Sequence, residues 1–207
     1  VRQNSSSKII AITGSCGKTS LKDLLSYSIG KFSSITFSPK SFNNKYGVPI
    51  SLFNLDLNNK FGVFEVGMNK KGEIDKLTKI IKPDVGVITN ISYAHAKNFK
   101  NIKQIALAKS EIINNIKEDG FLVLNADDYF YNFHNKIALK KKLKVFSFSL
   151  KKKFANVRLN YIKKEKSKFK ISIDINNKSK IFFIKSIFEN NIKNILAAIT
   201  VISIFID

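Results

Sequence analysis

The stretch Thr13-Gly14-Ser15-Cys16-Gly17-Lys18-Thr19-Ser20 decides the fold. Before it, residues 8–13 form a short apolar run that stops at Gly14, the pattern of a buried parallel strand. After it the period changes, and Leu21, Leu24, Leu25 and Ile29 mark one face of a helix starting at Lys18. A glycine-bearing loop between strand and helix lets backbone N–H groups close on a phosphate, and the helix adds the positive end of its dipole. In that setting Lys18 can reach the outer phosphates and the Thr19 hydroxyl can ligate the accompanying Mg2+. The widespread form of this loop has a glycine four residues away from its Gly-Lys pair. Ile12 holds that place here, and Gly14 instead gives a compact Gly-x-x-Gly-Lys-Thr. The loop alone implies binding of ATP or GTP. Cys16 reads as a small loop filler, because no neighbouring residue suggests a base for its thiol.

Outward from the loop, residues 34–38, 61–66, 85–89, 120–124 and 144–148 read as further strands. Helices are expected at 48–55, after a Gly-Val-Pro entry, and at 72–81, ending before Pro83. Two more are expected at 102–116 and 127–136. This alternation predicts an α/β fold, a P-loop-type and mostly parallel sheet flanked by helices. After about Lys151 the texture changes. Phe169, Ile171, Ile173 and Ile175 alternate with polar residues, 176–179 give a turn and 180–184 a return strand. A small antiparallel hairpin with one wet face is expected there. Residues 191–206 read as a closing helix without a capping signal, which suggests a fragment of a longer protein.

The 207 residues suffice for one large domain, and a 44% hydrophobic content can supply its core. Lys and Arg number 36 against 15 acidic residues, a formal charge of +21. Nearly all of the cations are lysines scattered along the chain, and the only arginines are Arg2 and Arg158. That distribution lacks the arginine-bearing patch of a dedicated nucleic-acid reader, so no specific nucleic-acid partner is expected. One cysteine excludes an internal disulfide and fits a reducing cytoplasm. Residues 1–7 are polar and lack the apolar core of a signal peptide. The apolar run 195–206 falls short of the roughly 20 residues that span a bilayer. A soluble, cytoplasmic chain with no membrane insertion is expected.

The compact loop with its leading Thr13 resembles that of the Mur ligase family, in its central ATP-binding domain. Further segments follow in the family's order: Ser41-Phe42-Asn43-Asn44-Lys45-Tyr46-Gly47-Val48-Pro49, then Phe64-Glu65-Val66-Gly67-Met68-Asn69 with Gly72-Glu73-Ile74. Thr89-Asn90-Ile91 through His95, Ala108-Lys109-Ser110-Glu111-Ile112 and Leu124-Asn125-Ala126-Asp127-Asp128 continue the match, which covers nearly the whole of 1–207. The resemblance implies an ATP- and Mg2+-dependent ligase of peptidoglycan synthesis that activates a carboxylate by phosphorylation. The Glu65–Ile74 segment points within the family to a UDP-MurNAc-tripeptide carboxylate and a D-Ala-D-Ala amine. The family's N-terminal UDP-binding and C-terminal amine-binding domains have no counterpart in these residues. The isolated chain, expected as a monomer, should therefore bind ATP weakly and ligate nothing.

The resemblance also assigns residues. Thr13, Gly14, Ser15, Cys16, Gly17, Lys18, Thr19 and Ser20 would hold the phosphates. Asn191 and Asn194 would contact adenine, whose edge suits an amide that both donates and accepts. The family pattern there has Gly and His where this chain has Phe188 and Asn190, which puts the shape of that loop in doubt. Helix capping by Asn190 or Asn191 is the plainer alternative. Asn43 and Asn44 lie in the segment that approaches the nucleotide-sugar substrate. Thr19, Glu65, His95 and a carbamoylated Lys109 would hold Mg2+, with Lys18 and Lys109 the catalytic lysines. Glu65 ends a buried strand where open parallel sheets bind ligands, and a carboxylate there needs a cation. That cation is Mg2+ or, alternatively, a lysine such as Lys18. His95 is otherwise a surface-loop histidine, and Lys109 otherwise a solvated helix lysine. Three alternatives remain: a sister ligase such as a folylpolyglutamate synthase, a nucleotide-binding module without catalysis, and a basic nucleic-acid binder switched by ATP.

Overall fold

The computed structural model describes residues 2, 5–93, 98–185 and 187–206. The chain opens as predicted, with strand β1 (Lys8–Thr13), the loop, and helix α1 (Lys18–Ile29). It continues through β2 (Ile35–Phe37), α2 (Gly47–Phe53), β3 (Phe61–Glu65), α3 (Glu73–Ile81) and β4 (Val85–Ile88). Then come α4 (Ile102–Ser110), β5 (Phe121–Asn125), α5 (Tyr131–Lys140) and β6 (Lys144–Ser149). The C-terminal part holds β7 (Val157–Glu165), β8 (Lys168–Ile175), β9 (Lys178–Ile184) and α6 (Glu189–Ser203).

These strands form one sheet in the order β2-β3-β1-β4-β5-β6-β7-β8-β9. Pairing is parallel from β2 through β7, and antiparallel between β7 and β8 and between β8 and β9. β1 is paired on one side with β3 and on the other with β4. The chain leaves β1 toward β2 and leaves β4 toward β5, so the connections diverge where β1 and β4 lie side by side. That is the switch point at whose carboxyl end an open α/β sheet opens a crevice.

Each face of the sheet buries its own core. Ile9, Ala11, Phe64 and Leu122 pack against α2, α3, α4 and α5 through Val48, Ile74, Leu77, Ile105 and Ala138. Ile10, Ile12, Val63 and Val87 pack against α1 and α6 through Leu21, Leu25, Ile192, Leu196 and Val201. Alternate strand residues point to opposite faces, and here both faces are dry, which is why the central strands read as unbroken apolar runs.

Three expectations are corrected. The helix expected over 102–116 ends at Ser110 and tightens to a 3-10 turn over Glu111–Asn115. There the Glu111 carboxylate accepts from the N–H groups of Gly72 (2.7 Å) and Asp75 (3.2 Å), and the Asn115 amide donates to Asp75. The helix expected over 127–136 begins only at Tyr131. Asp127 and Asp128 spend their carboxylates on the backbone N–H groups of Leu150, Ile91 and Phe130, which fixes a turn. The two-stranded hairpin is a three-stranded meander, since β7 pairs with β8 and, being mostly exposed, leaves no buried stripe to read in the sequence. Its β8–β9 turn places Asn176 and Asn177 at φ of 48° and 66°, the left-handed pair of a tight hairpin.

Candidate nucleotide and metal site

The loop between β1 and α1 takes its shape from two glycines. Gly14 has φ of 145° and Gly17 has φ of 80°, backbone that side-chain-bearing residues rarely adopt. The loop is also clamped from the end of β4. The Thr89 hydroxyl donates to Cys16 O (2.7 Å), the Ser15 N–H to Asn90 O (2.9 Å) and the Cys16 N–H to Asn90 Oδ1 (2.9 Å). Ser15 Oγ bonds both the carbonyl and the N–H of Ser92. The N–H groups of Ser15 and Cys16 are thus spent on the clamp. Those of Gly17, Lys18, Thr19 and Ser20 have no acceptor among the described residues, and α1 has no side-chain cap and no acid in its first turn. An anion is the natural complement of such a helix end.

Two lysines converge on one carbonyl: Lys18 Nζ donates to Gly14 O at 3.1 Å, and Lys109 Nζ to the same oxygen at 2.8 Å. Lys109 is only 2% exposed, so it is no solvated helix lysine. Burial, then the charge of Lys18, push its ammonium down to about 7, while Cys16 acts weakly the other way. Nearby, the Thr13 hydroxyl is fully buried and is the one buried side-chain polar atom without a partner among the described residues. Thr13 shares a strand face with Ile9 and Ala11, whose cluster includes Ile105 and Ala108 of α4.

Glu65 ends β3 with 1% exposure. Its Oε2 accepts from the Thr19 hydroxyl (2.7 Å) and its Oε1 from Asn43 Nδ2 (2.7 Å). Among the described residues it has no lysine or arginine partner. No group of three or more His, Cys, Asp or Glu side chains gathers among the described residues. Glu65 and Thr19 bring together one carboxylate and one hydroxyl, hard oxygen ligands of the kind Mg2+ takes beside water and phosphate. His95 lies outside the described residues.

Asn43 also accepts the Gly67 N–H with its own carbonyl, whereas Asn44 turns away. Asn44 Oδ1 accepts from the N–H groups of Tyr46 and Gly47 (3.0 Å each) and so caps the start of α2. At α6, Asn194 is buried and lines a cavity with Cys16, Gly17, Thr89, Asn90, Phe148, Asn190 and Lys193. Asn191 is exposed and lies outside that lining. Ser20 is exposed on the first turn of α1. Sequence reasoning left out Asn90 and Asn190 as site residues. The signal for Asn90 was its place just after β4, at the switch point.

Residues 12–202 match the family model described as the Mur ligase middle domain. The UDP-N-acetylmuramoyl-tripeptide–D-alanyl-D-alanine ligase of Rickettsia prowazekii (strain Madrid E) is 36% identical over 97% of this chain and 45% of its own length. The ligase of the same name from Buchnera aphidicola subsp. Acyrthosiphon pisum (strain APS) is 36% identical over 79% of this chain and 36% of its own. A crystal structure of MurF from Acinetobacter baumannii superposes with a TM-score of 0.88 at 30% identity, over 96% of this chain and 43% of that one. The chain thus spans less than half the length of these relatives. The strand–loop–helix with its two glycines, the sheet order and the match over 12–202 agree: the chain belongs to the Mur ligase family, as its middle domain.

Proposed function

We propose that residues 1–207 form the ATP-binding domain of a longer, monomeric, cytoplasmic ligase that joins a UDP-MurNAc-tripeptide to D-Ala-D-Ala in peptidoglycan synthesis. The observation that carries this is the buried Glu65 held against the Thr19 hydroxyl, at a helix end whose N–H groups lack acceptors among the described residues. The donor set fits Mg2+: Thr19 and Glu65 would hold it, with His95 and carbamoylated Lys109 completing the set by family resemblance. Bound there, Mg2+ would neutralise charge on the ATP phosphates.

The remaining steps belong to side chains of this chain. The N–H groups of Gly17, Lys18, Thr19 and Ser20 bind the phosphate oxygens, and Gly14 lets the loop come close. Lys18 releases Gly14 O and follows the γ-phosphate, stabilising charge as the tripeptide carboxylate oxygen attacks phosphorus and ADP leaves. The amine nitrogen of D-Ala-D-Ala then attacks the acyl carbon, forming the amide as inorganic phosphate leaves and the nitrogen loses a proton. Asn43 orients Glu65 and faces the acyl donor. Asn190 and Asn194 border the cavity offered to adenine. Lys109 has the environment that carbamoylation requires: its neutral amine, accessible near pH 7, can add CO2 and lose a proton to become an anion. The unpaired Thr13 hydroxyl fits as a donor to such an anion.

A panel of amines offered to the full-length enzyme, with phosphate release as readout, tests the substrate assignment. D-Ala-D-Ala should be preferred over meso-diaminopimelate, lysine or glutamate. Preference for one of those would hand the chain to a sister ligase. Amide formation by residues 1–207 alone would contradict the division of labour proposed here.

A further inference from the structure

Lys22 is among the most completely buried side chains of the protein, at 1% exposure, and none of the steps above uses it. A buried ammonium is costly unless it is hydrogen-bonded. Lys22 Nζ donates to the backbone carbonyl of Lys40 at 2.5 Å and lies 3.1 Å from Asp23 Oδ1. Asp23 is its sequence neighbour and 62% exposed, so the tether that reaches another segment is the Lys40 carbonyl. Lys40 itself has φ of 45°, a left-handed conformation that persists in a non-glycine residue only when its surroundings hold it there.

The segment after Lys40 reaches the candidate metal site. Ser41 Oγ lies 3.5 Å from Thr19 Oγ1, Asn43 Nδ2 donates to Glu65 Oε1, and the Asn43 carbonyl takes the Gly67 N–H. On α1, Lys22 comes three residues after Thr19 and so shares its helix face. One rigid helix therefore presents Thr19 to the phosphates and fastens, through Lys22, the start of the loop that lays Asn43 on Glu65.

We infer that Lys22 is a positioning residue: it ties the 38–47 loop to the phosphate-loop helix and thereby sets the binding of the carboxylate substrate more strongly than that of ATP, which the loop reaches only through Asn43 and Glu65. This rests on the assignment of that loop to the carboxylate substrate under Proposed function. Space-filling by the four-carbon stem is the competing account, and Lys22→Met separates the two because it keeps the stem and loses the donor.

In the full-length enzyme, Lys22→Met should raise KM for UDP-MurNAc-tripeptide by about tenfold, the cost of one charged hydrogen bond, and leave KM for ATP within about twofold. Lys22→Arg, which keeps a donor, should recover part of the loss. Hydrogen exchange of the substrate-free protein supplies a second readout: amides of residues 40–47 and Gly67 should exchange faster in Lys22→Met while those of α1 do not. Equal rises in both KM values with faster exchange throughout α1 would reduce Lys22 to core packing and overturn the inference. So would unchanged kinetics with unchanged exchange in 40–47. If the unaltered enzyme shows no tripeptide-dependent ATP turnover, the ligase assignment fails, and the exchange comparison still decides whether Lys22 holds the loop.

Discussion

A methyl group at Gly14 would lie 1.8 Å from Thr89 Oγ1, on backbone at φ of 145° that side-chain-bearing residues rarely adopt. Gly14→Ala should therefore push the loop off its β4 clamp, costing roughly 2 kcal/mol or more of stability and abolishing nucleotide binding. Thermal melts with and without ATP check both; a variant that binds ATP normally would show that the clamp does not shape the site. Lys109 carries a pH prediction for the protein held free of CO2, in which its side chain is the unmodified amine. Its folded-state value of about 7 lies below the ordinary 10.5, so between those values the unfolded chain holds a proton that the folded chain lacks. Stability from this group must then rise with pH across that window and stay flat below it. Lys109→Met should raise the urea midpoint at pH about 7 and flatten its climb toward pH about 9, while removing ligase turnover. An unchanged pH slope would mean that the buried amine is not perturbed. The glycines and Lys18 were legible in the sequence because spacing encodes them. The burial of Lys109 was not, because only the packing of α4 near the carboxyl end of β1 at Gly14 creates it.

Among the elements, α3 begins on an acceptor supplied by another segment. Glu111 takes the N–H groups of Gly72 and Asp75, and burial pushes its carboxyl above the usual range despite those bonds. Glu111→Ala should destabilise the protein by about 1–3 kcal/mol, and Glu111→Gln by less, in urea unfolding. A loss of under about 0.5 kcal/mol for the alanine variant would assign the cap to solvent instead. Strands β1, β3, β4, β5 and β6 were readable as apolar runs because both faces of the parallel sheet are covered. The boundaries of α4 and α5 were not, since Glu111, Asp127 and Asp128 are spent on N–H groups distant in sequence. Strand β7 was missed because Tyr161 and Ile162 stay largely exposed and its lysines give no period. Despite the departures at Phe188 and Asn190, α6 places Asn194 Oδ1 2.9 Å from where a Cβ on Gly17 would stand.

For the whole molecule, the charge of +21 predicts binding to DNA or RNA that is nonspecific and falls steeply with salt. A sequence preference surviving at physiological salt would favour the nucleic-acid alternative over the ligase. No helix among the described residues is long and apolar enough to cross a membrane. The fold was legible from alternating strand and helix patterns, and the site's order along the chain from the motifs. What the sequence could not display is the convergence at the switch point, where ends of β1, β3 and β4 bring Gly14, Glu65 and Asn90 together. The central claim is that this point supports an acyl phosphate. The direct measurement uses UDP-MurNAc-tripeptide labelled with oxygen-18 in its reacting carboxylate, turned over by the full-length enzyme with ATP, Mg2+ and D-Ala-D-Ala. Mass spectrometry of the released inorganic phosphate should find one labelled oxygen transferred per amide formed. Phosphate that carries no label while amide accumulates would contradict the claim.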